Sequence, residues 1–126
     1  MGFYILLILL AAMTVYALFN YFYQKRIITT LDQEKFIEGY RKAQLIDVRE
    51  PNEFESGHIL GARNIPLSQL KFRMKEIRPD KPVYLYCQNG IRSARAGMML
   101  YKKGYRRLYQ LKGGYKKWTG KIKVGK

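Results

Sequence analysis

The segment from Phe3 to Phe19 carries no charge and only Thr14 among non-apolar side chains, and it runs on through Asn20 to Tyr23 before Lys25 and Arg26. No other stretch constrains the fold so strongly. At about 1.5 Å per residue, a helix from Phe3 to Tyr23 spans on the order of 30 Å, the thickness of a bilayer's hydrocarbon core. Tyr16, Tyr21 and Tyr23 suit an interfacial aromatic belt. A cleaved signal peptide competes, with Val15-Tyr16-Ala17 as a weak cleavage pattern, but no basic segment precedes the apolar run. Lys25 and Arg26 follow it, so the positive-inside rule keeps the C-terminal side in the cytoplasm. The expectation is a single-pass membrane helix over residues 1–24 and one soluble, cytoplasmic domain over residues 25–126.

About a hundred residues then remain for that domain, enough for one modest core. Apolar residues make up 48% of the chain and aromatic residues 14%, which excludes a disordered chain. The single cysteine, Cys87, rules out an intramolecular disulfide and a multi-cysteine zinc site. With His58 the one histidine, neither a metal site nor a cofactor is expected. The net charge of +15 is unevenly placed: all nine acids lie between Asp32 and Asp80, and Lys81 to Lys126 holds thirteen Lys or Arg. Solubility and contact with anionic lipid headgroups account for such a block, at about 1 kcal/mol per residue near a surface. Nucleic-acid binding is not expected, because the basic residues fall on several elements without a known motif.

Along the domain, Thr30 and Gln33 have capping-box spacing for a short helix ending at Gly39, with Leu31, Phe36 and Ile37 on its apolar face. Ala43 to Val48 reads as a strand, Pro51 to Glu55 as a helical turn, and Ala62 to Ile65 as a second strand. Ser68 to Ile77 has the apolar spacing of a helix on a sheet. Val83 to Tyr86 is compact, β-branched and aromatic, as a buried central strand would be. Ser93 to Lys103 is an amphipathic helix capped by Gly104, Arg107 to Leu111 a strand, and Gly113-Gly114 opens a last helix around Tyr115 to Trp118. Strands alternating with helices predict an α/β domain with a mainly parallel sheet covered on both faces.

Cys87 stands where open α/β sheets bind ligands, outside the carboxyl end of a strand and ahead of a helix. A loop of Gln88, Asn89, Gly90, Ile91 and Arg92 can turn successive N–H groups inward as an anion nest, with Gly90 allowing a positive φ. The helix dipole adds partial positive charge and Arg92 a full one. All three favour thiolate over thiol, and such a thiolate can take the outer sulfur of an anionic donor to become a persulfide. The same N–H groups would then solvate the persulfide, and an acceptor would remove the sulfur in a second step.

The chain resembles a single-domain rhodanese over about Leu45 to Trp118. Asp47-Val48-Arg49-Glu50 with Glu53-Phe54, Gly57-His58-Ile59 and Ile65-Pro66 is similar to the family's N-terminal signature. Cys87 to Ser93 resembles its active-site loop, and Gly113-Gly114 with Trp118 its C-terminal signature. The resemblance implies a rhodanese-like fold behind the membrane helix and a sulfurtransferase that moves sulfur from thiosulfate or a persulfide to cyanide or a thiol. Cys87 would form the persulfide and Gln88 to Arg92 the cradle. The related phosphatases use Cys-x5-Arg, whereas the spacing here is Cys-x4-Arg, which favours sulfur over phosphate.

Asp47, Arg49 and Ser93 are candidate electrostatic or structural supports of the pocket, and Arg95 could widen its positive field. His58 is expected as a buried, hydrogen-bonded histidine and Trp118 as core. Two rival readings differ in class. In one, the domain is a membrane-associated binding module that recruits an acidic partner or lipid, with Cys87 incidental. In the other, Cys87 is a peroxide-sensing thiol, for which the chain offers no second cysteine to resolve a sulfenic acid.

Overall fold

The computed structural model describes all residues from Met1 to Lys126. The apolar segment forms one helix, α1 (Gly2–Ile27), the one helix long and apolar enough to cross a membrane. It has no buried residues and runs beyond Gln24 directly into strand β1 (Ile28–Leu31). No linker separates them: Ile27 packs against the core that Ile28 enters.

After β1 the chain continues with α2 (Gln33–Gly39), β2 (Gln44–Asp47), α3 (Pro51–Ser56), β3 (His58–Ile59), β4 (Arg63–Asn64), α4 (Leu67–Arg73), β5 (Val83–Tyr86), α5 (Ile91–Lys102), β6 (Leu108–Leu111) and β7 (Ile122–Lys123), where β3 and β7 add to the expected strands. The main sheet has the order β1-β6-β5-β2-β4 and all its pairs are parallel. β3 and β7 form a separate antiparallel ribbon. The helix expected over Ser68 to Ile77 is α4 followed by a 3-10 turn over Met74–Glu76, and the helix expected after Gly114 is a 3-10 turn over Tyr115–Lys117.

Alternation along the strands divides the interior into two cores. Ile46, Val83, Leu85 and Leu108 face α4 and α5 together with Leu70, Ala96 and Leu100. Leu45, Tyr86 and Leu111 face the other way, toward Phe36 and Tyr40. Cys87 continues the parity of Val83 and Leu85, so the thiol is the last side chain of the larger core. Gly97 lets α5 lie directly on β1, since a Cβ there would come within 2.4 Å of Ile28 Cδ1.

One local expectation is corrected. Thr30 lies in β1, paired with Gln110, and does not cap a helix. The cap of α2 is Asp32, whose carboxylate accepts from the Lys35 N–H at 2.9 Å. The Thr-x-x-Gln spacing was present, but parallel pairing with β6 engaged its first residue and Ile37 faces solvent.

Candidate active site

Cys87 follows β5, the central strand of the main sheet, and α5 begins four residues later. Between them Gly90 takes φ +100 and is the N-cap of α5, which turns the backbone N–H groups of the loop inward. The Gly90 and Ser93 N–H groups point at Cys87 Sγ from 3.0 and 3.3 Å. Asn89 closes the turn by accepting from the Ile91 N–H through its side chain at 3.1 Å. Ser93 also places its hydroxyl 3.5 Å from Sγ and donates to Gln110 Oε1 at 2.8 Å. The Gln110 amide donates onward to Thr30 Oγ1 at 3.1 Å, joining the loop to β6 and β1. Cys87 and Ser93 are fully buried, so Sγ lies beneath the loop rather than at its surface.

The loop is held from below by the Gly113-Gly114 segment. The Tyr115 N–H donates to Cys87 O at 2.8 Å and the Lys116 N–H to Gln88 O at 3.1 Å. Gly114, with φ +68, makes this approach possible: a Cβ there would lie 2.5 Å from Gln88 O and 2.7 Å from Cys87 O. The third signature motif therefore acts on the cysteine loop through backbone contact.

Asp47 and Arg49 form a buried ion pair beside the loop, with Nη2 2.9 Å from Oδ2. Arg49 also donates to Gly57 O at 2.6 Å and to Gln88 Oε1 at 3.3 Å, and its guanidinium lies 4.2 Å from the centre of the Tyr115 ring. Burial disfavours the Arg49 charge, but the hydrogen bonds and charge of Asp47 outweigh that effect and raise its pKa. The pair thus reaches the loop through Gln88.

Arg92 is not turned into the nest. It makes a bidentate pair with Glu53 of α3, at 2.7 and 2.9 Å. Hydrogen bonds from Arg92 hold the Glu53 carboxyl down at about 2, and Glu53 in turn raises the Arg92 pKa. Glu53 therefore competes with the loop for the Arg92 charge, which still interacts with Cys87, while the hydrogen bonds to Sγ come from backbone N–H groups at the start of α5.

Arg95 is exposed on α5, and Ile91 is 67% exposed at its start. His58 is buried and stacked on Phe54 at 3.6 Å, with Nδ1 2.8 Å from Phe54 O, away from the sulfur network. Trp118 packs edge-on against Phe36 and Tyr40. Gln110 carries no sequence motif, and the motifs that include Glu53, Thr30 and Tyr115 give them no place at the cysteine loop. The parity of Leu108 and Gln110 on β6 is the one local signal for Gln110, and nothing local marks Glu53 as the partner of Arg92.

A family model described as "Rhodanese-like domain" matches residues 31–121. The chain is 66% identical over 122 residues to the uncharacterized protein YqhL of Bacillus subtilis, covering 97% of each chain. It is 33% identical to the thiosulfate sulfurtransferase GlpE of Shewanella oneidensis, over 62% of this chain and 77% of the relative. Among solved structures, a rhodanese-related protein from Thermoplasma volcanium superposes with a TM-score of 0.68 at 30% identity, over 75% of this chain and 97% of that one. A parallel sheet with a cysteine loop after its central strand and a family match across nearly the whole of that sheet have one conclusion: the chain belongs to the rhodanese-like family.

Proposed function

We propose that this protein is a sulfurtransferase that carries sulfane sulfur as a persulfide on Cys87, moving it from thiosulfate or a persulfide donor to cyanide or a thiol. The observation that carries the proposal is the pair of N–H groups aimed at Sγ from Gly90 and Ser93. That arrangement favours negative charge on sulfur and has no evident use for a merely structural thiol.

In the first step the Cys87 thiolate attacks the outer sulfur of thiosulfate. The Sγ–S bond forms, the S–S bond of thiosulfate breaks, and sulfite leaves with the electron pair. In the second step an acceptor nucleophile takes the outer sulfur and Sγ leaves as thiolate, which gives ping-pong kinetics. The loop supports both anions with the same donors. Gln88, Asn89, Gly90, Ile91 and Arg92 shape the cradle, with Ser93 and Gln110 orienting the hydroxyl beside Sγ and Asp47 with Arg49 positioning Gln88.

Residues 1–24 serve as a single-pass membrane anchor and residues 25–126 as a cytoplasmic domain, which the length of α1 and the position of Lys25 and Arg26 support. The basic C-terminal half then faces anionic lipid. Mass spectrometry of the full chain after thiosulfate treatment tests the chemistry: a gain of about 32 Da is expected, the mass of one sulfur atom on the attacking thiol. No gain, or a gain that survives in Cys87→Ala, would refute it.

One observation favours a second reading. Cys87 has no exposure and Arg92 is occupied by Glu53, as suits a non-enzymatic module that binds through its basic face. Flotation of the anchor-free fragment Lys25 to Lys126 with anionic and neutral vesicles separates the two when combined with the mass measurement. Lipid-selective binding without sulfur loading supports the module.

A further inference from the structure

Two clefts of about 480 Å³ each flank the Cys87 loop. In the cleft bounded by Arg49, Glu53 and Gln88, both charged side chains are already paired, with Asp47 and Arg92. The opposite cleft lies between the loop and the foot of α1. Its lining includes Gln24, Asn89, Arg95, Gln110 and Lys112, and no acid. Arg95 and Lys112 are exposed and make no ion pair. Two free cations therefore face a cavity walled on one side by the cysteine loop.

The connection to Sγ is short. Gly90, which lines the cleft, gives its N–H to Sγ, and Gln110 holds the Ser93 hydroxyl 3.5 Å from it. The far wall is unusual, because it comes from the apolar helix. Asn20, Gln24 and Ile27, at i, i+4 and i+7, are the half-buried positions of its last two turns, while Tyr21, Phe22 and Lys25 are exposed. Two uncharged amides thus lie on the half-buried face of α1, and Gln24 lines the cleft. Ile27 on the core and the direct passage into β1 fix that wall relative to the loop.

We propose that this cleft is the acceptor subsite, that it takes a small thiol bearing a carboxylate or another anionic group, and that α1 supplies one of its walls through Gln24. The proposal rests on the sulfur-transfer function above. The anionic group pairs with Arg95 and Lys112, and the amides of Gln24 and Asn89 orient the rest. The acceptor thiolate forms a bond to the outer sulfur of the Cys87 persulfide as the Sγ–S bond breaks. The electron pair returns to Sγ, and the proton that the acceptor thiol gives to the outer sulfur as it ionises stays on that sulfur in the product persulfide.

The test uses the full chain in neutral phosphatidylcholine nanodiscs, loaded with thiosulfate and discharged by 3-mercaptopropionate, 2-mercaptoethanol or cysteamine, with rates compared per thiolate. The anionic thiol should have a KM about tenfold below that of the neutral one, the size of one charge-assisted contact. The Arg95→Gln/Lys112→Gln double variant should bring that ratio close to unity, and Gln24→Trp should slow discharge by filling the cleft. Equal KM values in the wild type, or a ratio that the double variant leaves intact, would overturn the proposal. If phosphatidylglycerol nanodiscs raise the mercaptopropionate KM, and only in protein that retains Arg95 and Lys112, a lipid headgroup occupies the cleft and the small-thiol assignment is wrong. A mercaptopropionate titration of Cys87→Ala, followed through the Gln24 and Gln110 side-chain amide resonances, reports occupancy without sulfur transfer. Saturable shifts are expected, and their absence would overturn the subsite even where Cys87 loads normally.

Discussion

Replacing Gly114 with alanine should damage the cysteine loop from a position that touches no substrate. Its φ of +68 and ψ of −169 lie where only glycine is comfortable, which costs alanine about 1–3 kcal/mol. The new methyl would also sit 2.5 Å from Gln88 O and 2.7 Å from Cys87 O, so the two segments must separate. Separation weakens the Tyr115 and Lys116 hydrogen bonds to those carbonyls, at about 0.5–1.5 kcal/mol each. The total is about 2–6 kcal/mol, a large part of the roughly 5–15 kcal/mol of a typical domain. Gly104→Ala is the control, because Gly104 has φ +102 but open space where the Cβ would go. Urea unfolding of both variants isolates the clash, and thiosulfate loading of folded Gly114→Ala measures its effect on the loop. If Gly114→Ala is no less stable than Gly104→Ala and loads at the wild-type rate, the 113–114 segment does not support the site as described.

Arg92→Ala should slow thiosulfate loading about tenfold by leaving the Glu53 carboxylate unpaired beside an anionic donor, and adding Glu53→Ala should restore much of the loss. Stopped-flow loading kinetics across this cycle would refute the coupling if the two effects simply added. The Glu53 carboxyl is lowered from 4.5 to about 2, so its stabilisation is complete above the unfolded value and lost as pH falls from about 4.5 toward 2. With both partners about 30% exposed, the effect is about 1 kcal/mol or less, and Glu53→Gln should flatten the acid limb of the unfolding curve by that amount. Asp47→Ala should destabilise by about 3–5 kcal/mol, because it strands the buried Arg49 charge, while Asp47→Ala/Arg49→Met should recover part of that loss in thermal unfolding.

The parts of the fold that were legible in the sequence are those set by local pattern. Val83 to Tyr86 has the composition of a central strand and is one, and the glycine after the cysteine takes the positive φ that its place in the loop demanded. What could not be read depends on residues far apart in the chain. Ile28 to Leu31 looked like the approach to a helix because its strand partner, Leu108 to Leu111, comes after the rest of the sheet. β3 and β7 are two residues each, too short for any period to show, and they pair across most of the domain. The charge on Arg92 was legible, but its pairing with Glu53 required α3 and α5 to meet, which no spacing rule encodes.

That pairing divides the electrostatics of the loop between the Arg92 side chain and the backbone. A free arginine would act through a flexible side chain, screened by water at its exposed end. The N–H groups of Gly90 and Ser93 are fixed by the loop backbone and by the first turn of α5, and they reach a sulfur from which water is excluded. A buried dipole at 3.0 Å acts in a lower effective dielectric than a charge at the surface, so the smaller partial charge has the larger effect per unit. Substituting side chains around the loop should therefore change donor capture and acceptor choice more than it changes the readiness of Cys87 to hold a negative sulfur. Moving the backbone, as Gly114→Ala does, should change the latter.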